Sequence, residues 1–373
     1  MKSQVSLIRC PDYDPAKVFA AVKKALDLQG GIANFIPPGS KVLVKPNLLM
    51  AKDPELAITT HPQVVRAAIR LLKEINCKII VGDSPSVFGD EIENVEQVYA
   101  VTGIAKVCAE EGVELIKLDK RRMRRGIALA AILDECDHVV NVPKLKTHNL
   151  TIMTGAIKNL FGLVVGTFKI EMHRNFFAVK DFSKALVDIY EEVKPSLTIV
   201  DAVTALEGDG PGSAGKQRQV NLILAGIDCV ALDSVLARVI GVSPFDVLTT
   251  KEAAGRGLGL ADEHAIEILG DKLKDVSAAA FALPTTSLKT RFIPKPVFYL
   301  IWRFIRYRPH WLDDKCIRCS ACVKACPKEI VKMKNGRIVC NYSECIACFC
   351  CQEVCPKAAV KVKKSLLAKI VGL

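Results

Sequence analysis

Two stretches, CIRCSACVKACP at residues 316–327 and CIACFCCQEVCP at residues 345–356, decide how the last part of this chain folds. They are one unit repeated at an offset of 29 residues, because the cysteines follow the spacing C-x2-C-x2-C-x3-C-P in both. Three closely spaced thiolates wrap the chain around one [4Fe–4S] cluster, and the fourth cysteine, followed by proline, turns away to ligate a second cluster. The spacing therefore predicts two [4Fe–4S] clusters with interlaced ligands. We expect the first cluster on Cys316, Cys319, Cys322 and Cys355, and the second on Cys326, Cys345, Cys348 and Cys351.

A short hairpin is predicted between the two motifs. Asn335-Gly336 separates the β-rich runs 330–333 and 337–340, and this dipeptide tolerates the positive φ angles of a two-residue turn. With this hairpin, residues Asp313 to Lys363 resemble bacterial two-cluster ferredoxins. Cys340 and Cys350 lie outside the motif, and we expect them to be small buried residues near the clusters.

Structural zinc and disulfides are the alternatives for this cysteine array. Zinc sites use pairs of cysteines separated by a dozen or more residues, whereas here four cysteines fall within eleven positions, twice. Disulfides need an oxidising compartment, and the chain start shows no secretory signal. No run of roughly 18 apolar residues occurs either, so we expect a soluble, cytoplasmic protein.

The charge and the cysteine content of the chain change near residue 286, after which basic residues and cysteines are both concentrated. From there to the end the chain has 18 basic and 5 acidic residues, against 34 and 35 before it, and ten of the 15 cysteines lie between 316 and 355. The 373 residues, half of them apolar, are enough for two or three globular domains. The predicted organisation is an α/β domain at 1–285, a basic aromatic linker at 286–312, a ferredoxin domain at 313–365 and a tail at 366–373.

The linker mixes arginine and lysine with phenylalanine, tyrosine and tryptophan. Such a segment can lie on an anionic membrane, here through residues 291–308, or stack on nucleic acid. The preferred alternative is a connector whose aromatic side chains pack between the domains. The basic region stays positive even after the negative charge of two thiolate-ligated clusters is subtracted, so we expect an acidic redox protein as donor or acceptor. Nucleic acid is not expected as a partner.

The first 285 residues alternate short apolar runs with helical patterns. Strands are predicted at 5–10, 41–45, 78–81, 114–118, 138–142, 197–200, 221–225 and 266–269. Helices are predicted from Asp14-Pro15, from Thr60/Pro62, and near 95–111, 182–193 and 229–240. Continuous apolar strands alternating with helices predict an α/β fold, in which a mostly parallel sheet is covered by helices on both faces. The small C-terminal ferredoxin domain is predicted to be α+β.

Polar segments mostly begin where a predicted strand ends. Strand ends of an open parallel sheet share one edge, and ligands bind in the crevice outside it. If the lysine, histidine and acidic side chains of these segments meet at that edge, they would form a cationic pocket with proton donors. Such a pocket is suited to a small anionic substrate such as a carboxylate or phosphate. The alternative is that the lysines are solvated and the glycine-rich segment at 207–212 is only a turn. The candidate catalytic residues are Lys45, Asp83, Lys144, Lys146, His148, Lys158, Asp201 and Glu207.

The order of these segments is similar to that of a known family. VLVKPNLL (42–49), TTHPQVV (59–65), GDSP (82–85), VPKLKTHNLTIMTGAIKNLFG (142–162) and DAVTALEGDGP (201–211), followed by the cysteine motifs, resemble domain of unknown function 362 in its version fused to a ferredoxin. The resemblance implies an iron–sulfur protein and assigns no reaction. A more distant similarity is to the nickel-pincer lactate racemases, whose α/β domains also use lysines and histidines around a glycine-rich stretch.

The sequence thus predicts an iron–sulfur oxidoreductase. Its ferredoxin domain would pass single electrons from an external donor to the α/β domain, because tethering raises the effective concentration of the electron source. The alternative is a non-catalytic electron-transfer or cluster-carrying subunit that docks a partner enzyme. Neither a G-x-G-x-x-G before a helix nor a P-loop motif is present, so no dinucleotide or nucleoside triphosphate is predicted.

Overall fold

The computed structural model describes residues 2–85, 94–176, 178–276, 281–287 and 307–365. The α/β domain contributes twelve of the described strands and nine of the described helices. Its strands are β1 (Ser3–Arg9), β2 (Lys41–Pro46), β3 (Lys78–Asp83), β4 (Glu114–Lys117), β5 (Arg121–Arg124), β6 (Ile127–Ala130), β7 (His138–Val142), β8 (Lys144–His148), β9 (Ile152–Thr154), β10 (Leu197–Gly208), β11 (Gly215–Gly226) and β12 (Ile266–Gly270). Its helices are α1 (Pro15–Asp27), α2 (Pro62–Glu74), α3 (Val95–Val101), α4 (Ile104–Glu111), α5 (Ala156–Asn159), α6 (Phe168–Asn175), α7 (Val179–Val193), α8 (Cys229–Val239) and α9 (Leu248–Gly255).

The main sheet is mixed but mostly parallel, which confirms the predicted fold class. Its strands run in the order β12-β1-β11-β10-β7-β2-β3-β4, with β8 paired to β10 and β9 paired to β8. The pairs of β2 with β3, β2 with β7, β3 with β4 and β10 with β7 are parallel, so their carboxyl ends meet at one edge. Strand β11 runs antiparallel to both of its neighbours.

Each face of the sheet is covered by a separate apolar core. Leu43 points into the core beneath α7 and α8, whereas its neighbours Val42 and Val44 point into the core beneath α1, α2 and α4. This alternation follows from the two-residue period of a strand, and apolar residues on both faces explain why these strands read as continuous apolar runs.

Helix starts follow the local signals in the sequence. The Asp14 carboxylate accepts the backbone N–H groups of Ala16 and Lys17, with Pro15 in the first helical position of α1. The predicted helix over 95–111 is instead two helices, because Gly103 takes a φ of 75° between α3 and α4. Such a left-handed residue ends one helix before the next begins.

Two predicted loops have regular structure. The segment after β7 continues directly as β8, which lies parallel to β10. Strands β10 and β11 are twelve residues each and form a long antiparallel hairpin, so the glycine-rich segment is the hairpin end rather than a loop after a short strand. The sequence predicts only the apolar beginning of β10, residues 197–200, as a strand. The rest of β10 mixes apolar and polar residues and therefore lacks a continuous apolar run.

The ferredoxin domain is a small α+β unit. It contains β13 (Tyr307–Trp311), α10 (Ala321–Lys324), β14 (Val331–Lys334), β15 (Arg337–Cys340), α11 (Cys350–Glu353) and β16 (Val360–Lys364). Strands β14 and β15 pair around Asn335 and Gly336, whose φ angles are 48° and 72°. The predicted hairpin is therefore confirmed.

The predicted start of this domain at residue 313 differs from the structure. Strand β13 pairs antiparallel with β16, from Tyr307 opposite Lys364 to Trp311 opposite Val360. Residues 307–311 thus belong to the ferredoxin sheet, since their backbone groups complete the pairing that β16 would otherwise lack. The rest of the predicted membrane-contact segment 291–308, and the tail 366–373, lie outside the described residues. Among the described residues, no helix combines the length and apolar composition that crossing a bilayer requires.

Candidate functional site

A cavity lies at the carboxyl edge of the sheet, next to the ends of β2 and β3, with about 420 Å³ of empty space when the part open to solvent is included. Three of the eight candidate residues, Asp83, Lys146 and Lys158, belong to its wall. The other five do not. The polar lining consists of Asn47, Asp83, Ser84, Lys146, Thr154, Lys158, Asn159, Lys169 and Glu353.

Lys45 and Asp83 form a fully buried ion pair at the base of this cavity. The Lys45 Nζ lies 2.8 Å from Oδ1 of Asp83 and donates to the carbonyl of Pro46 at 2.8 Å. The carboxylate also accepts the backbone N–H groups of Leu48 at 2.8 Å and Ser84 at 2.9 Å. Both charges are therefore satisfied, and the pair adds no net charge to the cavity.

Gly162 allows the chain to pass over this ion pair. A Cβ atom at Gly162 would lie 2.2 Å from Oδ1 of Asp83 and 2.5 Å from Nζ of Lys45. The carbonyl of Gly162 also accepts the N–H of Ser84 at 3.2 Å. Any side chain here would separate the buried charges or displace the backbone.

A chain of asparagines orients the polar wall. Asn141 donates its Nδ2 to the carbonyl of Ala156 at 3.0 Å, so its Oδ1 accepts from Nδ2 of Asn159 at 2.7 Å. Oδ1 of Asn159 then accepts from Nδ2 of Asn47 at 2.8 Å. This direction leaves Oδ1 of Asn47 without a hydrogen-bond partner among the described residues, and the same holds for Oγ1 of Thr154. Both atoms belong to cavity residues and are available to a ligand.

The short helix α5 brings Lys158 and Asn159 to the cavity. Asp233 of α8 holds the start of α5, because its carboxylate accepts the N–H groups of Ala156 at 2.6 Å and Ile157 at 3.1 Å. Burial raises the pKa of Asp233 to about 7. Asp233 is thus a positioning residue that sequence patterns did not indicate.

Three lysines make the cavity cationic. Lys146 donates to the carbonyl of Ile58 at 2.7 Å, and burial lowers its pKa to about 7. Lys169 donates to the carbonyl of Ser84, and burial lowers its pKa to about 8. Burial also lowers the pKa of Lys158, whose ammonium has neither a hydrogen bond nor an ion pair within the described part of the chain. Lys158 is therefore the cation most available to an anionic ligand.

His148 is buried and neutral rather than a cationic proton donor. Its Nδ1 accepts the backbone N–H groups of Leu150 at 3.1 Å and Thr151 at 3.3 Å, which places the ring proton on Nε2. Burial, assisted by the charge of Lys158, holds the pKa of His148 well below its usual range. Nε2 lies 3.8 Å from a carboxylate oxygen of Glu353.

Lys144 and Asp201 form a second buried ion pair outside the cavity wall. Asp201 is the cross-strand neighbour of Lys144, and Nζ lies 2.9 Å from Oδ2. Lys144 also donates to the hydroxyl of Tyr13 at 2.6 Å, and this hydroxyl donates to Oδ1 of Asp201 at 2.8 Å. The His61 ring stacks on Tyr13 with centroids 3.7 Å apart. The predicted convergence at the strand edge thus divides into two separate charge clusters.

Glu207 also lies apart from the cavity. Its carboxylate accepts the N–H of Ala282 at 3.0 Å, and the N–H of Gly208 donates to the carbonyl of Ala282 at 2.7 Å. These contacts attach the segment 281–287 to the end of β10. Glu207 is separated from the cavity because β10 continues to Gly208 and carries Glu207 to the end of the hairpin.

The ferredoxin domain contributes to the wall of the cavity. Arg174 donates to the carbonyl of Pro327 at 2.6 Å and to a carboxylate oxygen of Glu329 at 3.1 Å. Asn149 donates to the side chain of Gln352 on α11. The last residue of α11, Glu353, is part of the cavity wall. The cavity is therefore built by both domains.

Two further cavities, each of about 340 Å³, lie inside the ferredoxin domain. Each is lined by cysteines, and the other residues of its wall are mostly apolar. One is lined by Cys316, Cys319, Cys322 and Cys355. The other is lined by Cys326, Cys345, Cys348 and Cys351, with the half-buried Cys340 beside them. These are the two groups of four that the spacing predicts, whereas the buried Cys350 faces the α/β domain.

The cysteine loops have the backbone of an anion-binding nest. Arg318 and Ser320 take φ angles of 60° and 61°, and Ala347 and Phe349, at equivalent positions of the repeat, take 53° and 60°. Left-handed residues within a turn direct successive N–H groups into one concavity, as occurs around iron–sulfur clusters. Because this conformation is costly for residues with a side chain, its repetition fits loops shaped around an anionic cluster.

Sequence patterns missed Glu353 as a site residue, although a signal exists. The 29-residue offset aligns Glu353 with Lys324, so the second motif reverses the charge of the first. It also aligns Cys350 with Ala321 and Gln352 with Val323. The copies therefore differ where α11 faces the α/β domain.

Comparisons with known proteins agree with this architecture. Residues 42–238 match the family described as domain of unknown function (DUF362), and residues 310–356 match a 4Fe–4S dicluster domain. The chain is 34% identical over 269 residues to the thylakoid-associated protein sll1697 of Synechocystis sp., an alignment that covers 70% of this chain and 81% of the relative. The C-terminal domain is thus a metal-binding, ferredoxin-like domain of the 4Fe–4S type.

A solved structure gives a weaker match. The lactate racemase apoprotein from Thermoanaerobacterium thermosaccharolyticum superposes with a TM-score of 0.41 at 14% identity. The match covers 65% of this chain and 58% of the racemase chain, less than two thirds of its length.

Proposed function

Because this chain belongs to the domain of unknown function 362 family and carries a 4Fe–4S dicluster domain, we propose that it is an iron–sulfur oxidoreductase acting on a small anionic substrate. The observation that supports this is the shared cavity: Lys146, Lys158 and Lys169 come from the α/β domain, and Glu353 comes from the ferredoxin domain. A substrate held there would touch the domain that supplies electrons. A cavity with this composition would be unneeded in a protein that only carried electrons.

The ferredoxin domain is proposed to hold two clusters in its two cysteine-lined cavities. When bound, [4Fe–4S] clusters exchange electrons one at a time. The cavity lined by Cys326, Cys345, Cys348 and Cys351 belongs to the side of the ferredoxin domain that faces the substrate. Cys351 on α11 lines this cavity, and the adjacent Cys350 contributes to the interface with the α/β domain. The cavity lined by Cys316, Cys319, Cys322 and Cys355 would then face the external donor.

Two lysines of the cavity are proposed to have different roles in the reaction. Lys158, whose ammonium lies 5.8 Å from the centroid of the Phe161 ring but forms neither a hydrogen bond nor an ion pair with the described residues, would hold the anionic group of the substrate. Lys146, whose pKa is about 7, would be the proton donor, because a group titrating near neutral pH can both hold and release a proton. The Lys45–Asp83 pair would position the wall without contacting the reacting atoms.

Packing of the two domains would exclude water from the substrate. The contacts of Arg174 and Asn149 hold the ferredoxin domain against the α/β domain, with Glu353 of α11 in the cavity wall. Exclusion of water strengthens the attraction between ammonium groups and an anion. We also propose an acidic redox protein as the electron donor, since residues 307–365 contain 12 lysines and arginines against 5 acidic residues.

Anaerobic reoxidation tests this proposal against the carrier alternative. The dithionite-reduced protein, freed of excess reductant, is mixed with unsaturated carboxylates such as crotonate, fumarate and cinnamate, and the cluster absorbance is followed. We expect at least one carboxylate to reoxidise the protein by accepting two electrons, one from each cluster, and two protons, one from Lys146 and one from solvent, which converts its carbon–carbon double bond to a single bond. Lys158→Met and Lys146→Met should slow this reaction at least tenfold. Lys251→Met, which alters an exposed lysine of α9, is the matched control and should react like the unaltered protein.

A carrier would behave differently in the same experiment. Its clusters would be reoxidised only by a partner protein, at a rate that falls with added salt because the Debye length shrinks from about 10 Å at 0.1 M to about 3 Å at 1 M. Reoxidation by protein alone, unchanged in Lys158→Met, would refute the proposed enzyme.

A further inference from the structure

A second cavity adjoins the first on the side of the ferredoxin domain, with about 450 Å³ of empty space when the part open to solvent is included. The two share four lining residues and therefore adjoin one another, and we call the pair the chamber. The shared residues are Lys158, Phe161, Lys169 and Glu353. We name the 420 Å³ cavity the polar lobe and the 450 Å³ cavity the apolar lobe of this chamber.

The apolar lobe is different in chemistry from the polar lobe. Beyond the shared residues it is lined mainly by carbon, from Ile170 of α6 and from Ala325, Pro327 and Val354 of the ferredoxin domain. His173 completes the wall as a neutral aromatic ring: it stacks on Phe182 with centroids 4.4 Å apart, and burial lowers its pKa to about 3. A ligand gains there by burying apolar surface, not by forming ion pairs.

The polar lobe supplies the complementary half. Its three ammonium groups face one unpaired carboxylate, that of Glu353, because Asp83 is neutralised by Lys45. Lys158 has no ion pair among the described residues, and the buried hydroxyl of Thr154 has no hydrogen-bond partner among them. An excess of positive charge beside an unused hydroxyl suits a single carboxylate group.

From this geometry we propose that the chamber binds one amphiphilic carboxylate, with its carboxylate in the polar lobe and an apolar body in the apolar lobe, against the ferredoxin domain. The inference rests on the proposed function and specifies its substrate class. An apolar body would place the part of the substrate that is remote from the charge beside Pro327 and Cys350, the residues next to the second cysteine-lined cavity. The lysines would thus select the carboxylate, and the apolar lobe would select the length and shape of the body.

A homologous series of straight-chain carboxylates tests this directly. The anaerobic, cluster-loaded protein is titrated with acetate, butyrate, hexanoate and octanoate, and with 1-hexanol, by isothermal calorimetry. Each buried methylene should tighten Kd about fourfold until the lobe is filled. Hexanol should bind at least tenfold more weakly than hexanoate, because it cannot pair with Lys158. A flat series, or equal affinity for hexanol and hexanoate, would overturn the inference.

Variants of the two lobes separate their contributions. Ile170→Trp fills the apolar lobe and should abolish the dependence on chain length while acetate still binds. Ile170→Ser, which adds no bulk, should reduce that dependence, and it keeps the test valid if the tryptophan variant does not fold. Lys158→Met should weaken hexanoate at least tenfold, whereas the Lys251→Met control should not change it. An unchanged chain-length dependence in both Ile170 variants would place the apolar body elsewhere and refute the assignment.

Failure of this inference and failure of the proposed function are distinguishable. Saturated carboxylates accept no electrons, so their binding reports the chamber and not the reaction. Chain-length dependence without any reoxidation by carboxylates would support the chamber and refute the enzyme. Reoxidation by fumarate together with a flat alkanoate series would support the enzyme and refute the apolar lobe as a substrate site.

Discussion

The buried ion pair between Lys45 and Asp83 allows a quantitative test of how the cavity is held. Lys45→Met removes the ammonium and keeps much of the volume of the side chain. It leaves the Asp83 carboxylate, which is fully shielded from water, with only the backbone N–H groups of Leu48 and Ser84. The carbonyl of Pro46 and Oδ1 of Asn159 also lose a donor.

The expected cost follows from burial. Removing one partner of a buried ion pair costs about 3–5 kcal/mol, because an uncompensated charge remains in a medium of low polarity. For a domain of about 285 residues, an unfolding entropy of about 2.1 cal/mol/K per residue means that each kcal/mol lowers Tm by about 1.7 °C, so the α/β domain should melt about 5–8 °C lower. The double variant Lys45→Met/Asp83→Asn removes both charges and should lose less than the sum of the two single variants.

Thermal midpoints are measured anaerobically at one scan rate, because cluster-containing proteins unfold irreversibly. The matched control is Lys23→Met, which removes the exposed pair of Lys23 with Asp27 at 3.2 Å. An exposed i,i+4 pair contributes about 0.3–0.5 kcal/mol, so this control should shift Tm by about 2 °C or less. The iron content should be the same in all variants, since the pair lies in the α/β domain.

Two results would refute this reasoning. The first is a Tm for Lys45→Met within about 2 °C of the unaltered protein, which would mean that the pair is hydrated. The second is strict additivity of the two single variants, which would mean that the charges do not interact.

Three further predictions concern protonation and the cysteines. Affinity for a small carboxylate should fall as pH rises through about 7, because Lys146 loses its proton there, and calorimetry on Lys146→Met should lack this step; an unchanged pH profile would remove Lys146 from the ligand contacts. Because the pKa of Asp233 is raised to about 7, its contribution to stability is largest below the unfolded pKa of about 4 and is lost as pH rises through 7. The excess of Tm over that of Asp233→Asn should therefore shrink between about pH 5 and 8, and a constant difference would contradict this. Cys326→Ser should damage the same cluster as Cys351→Ser, judged by electron paramagnetic resonance, and Cys355→Ser should damage the other; loss of the same signal in all three would refute the interlaced assignment.

Features that depend on local chemistry could be predicted from the sequence. Cysteine spacing indicated the 4Fe–4S domain, because the ligands of a cluster lie within a few residues of one another and need no long-range information. Asn335-Gly336 predicted the hairpin, since the positive φ angles of its turn are a property of those two residues. Apolar runs alternating with helical patterns predicted the parallel sheet and its covered faces.

Which charged residues form the candidate site depends instead on long-range packing. Lys144 and Lys146 are two positions apart on β8, yet Lys144 is paired with Asp201 on the neighbouring strand and Lys146 belongs to the cavity wall. Strand register and the length of β10 set this difference, and neither is visible in a lysine-rich segment. Glu353 reaches the cavity from a different domain, about 200 residues further along the chain. A site made by long-range packing cannot be read from local patterns, because the contacts that select each charged side chain are formed only when the sheet and the two domains have come together.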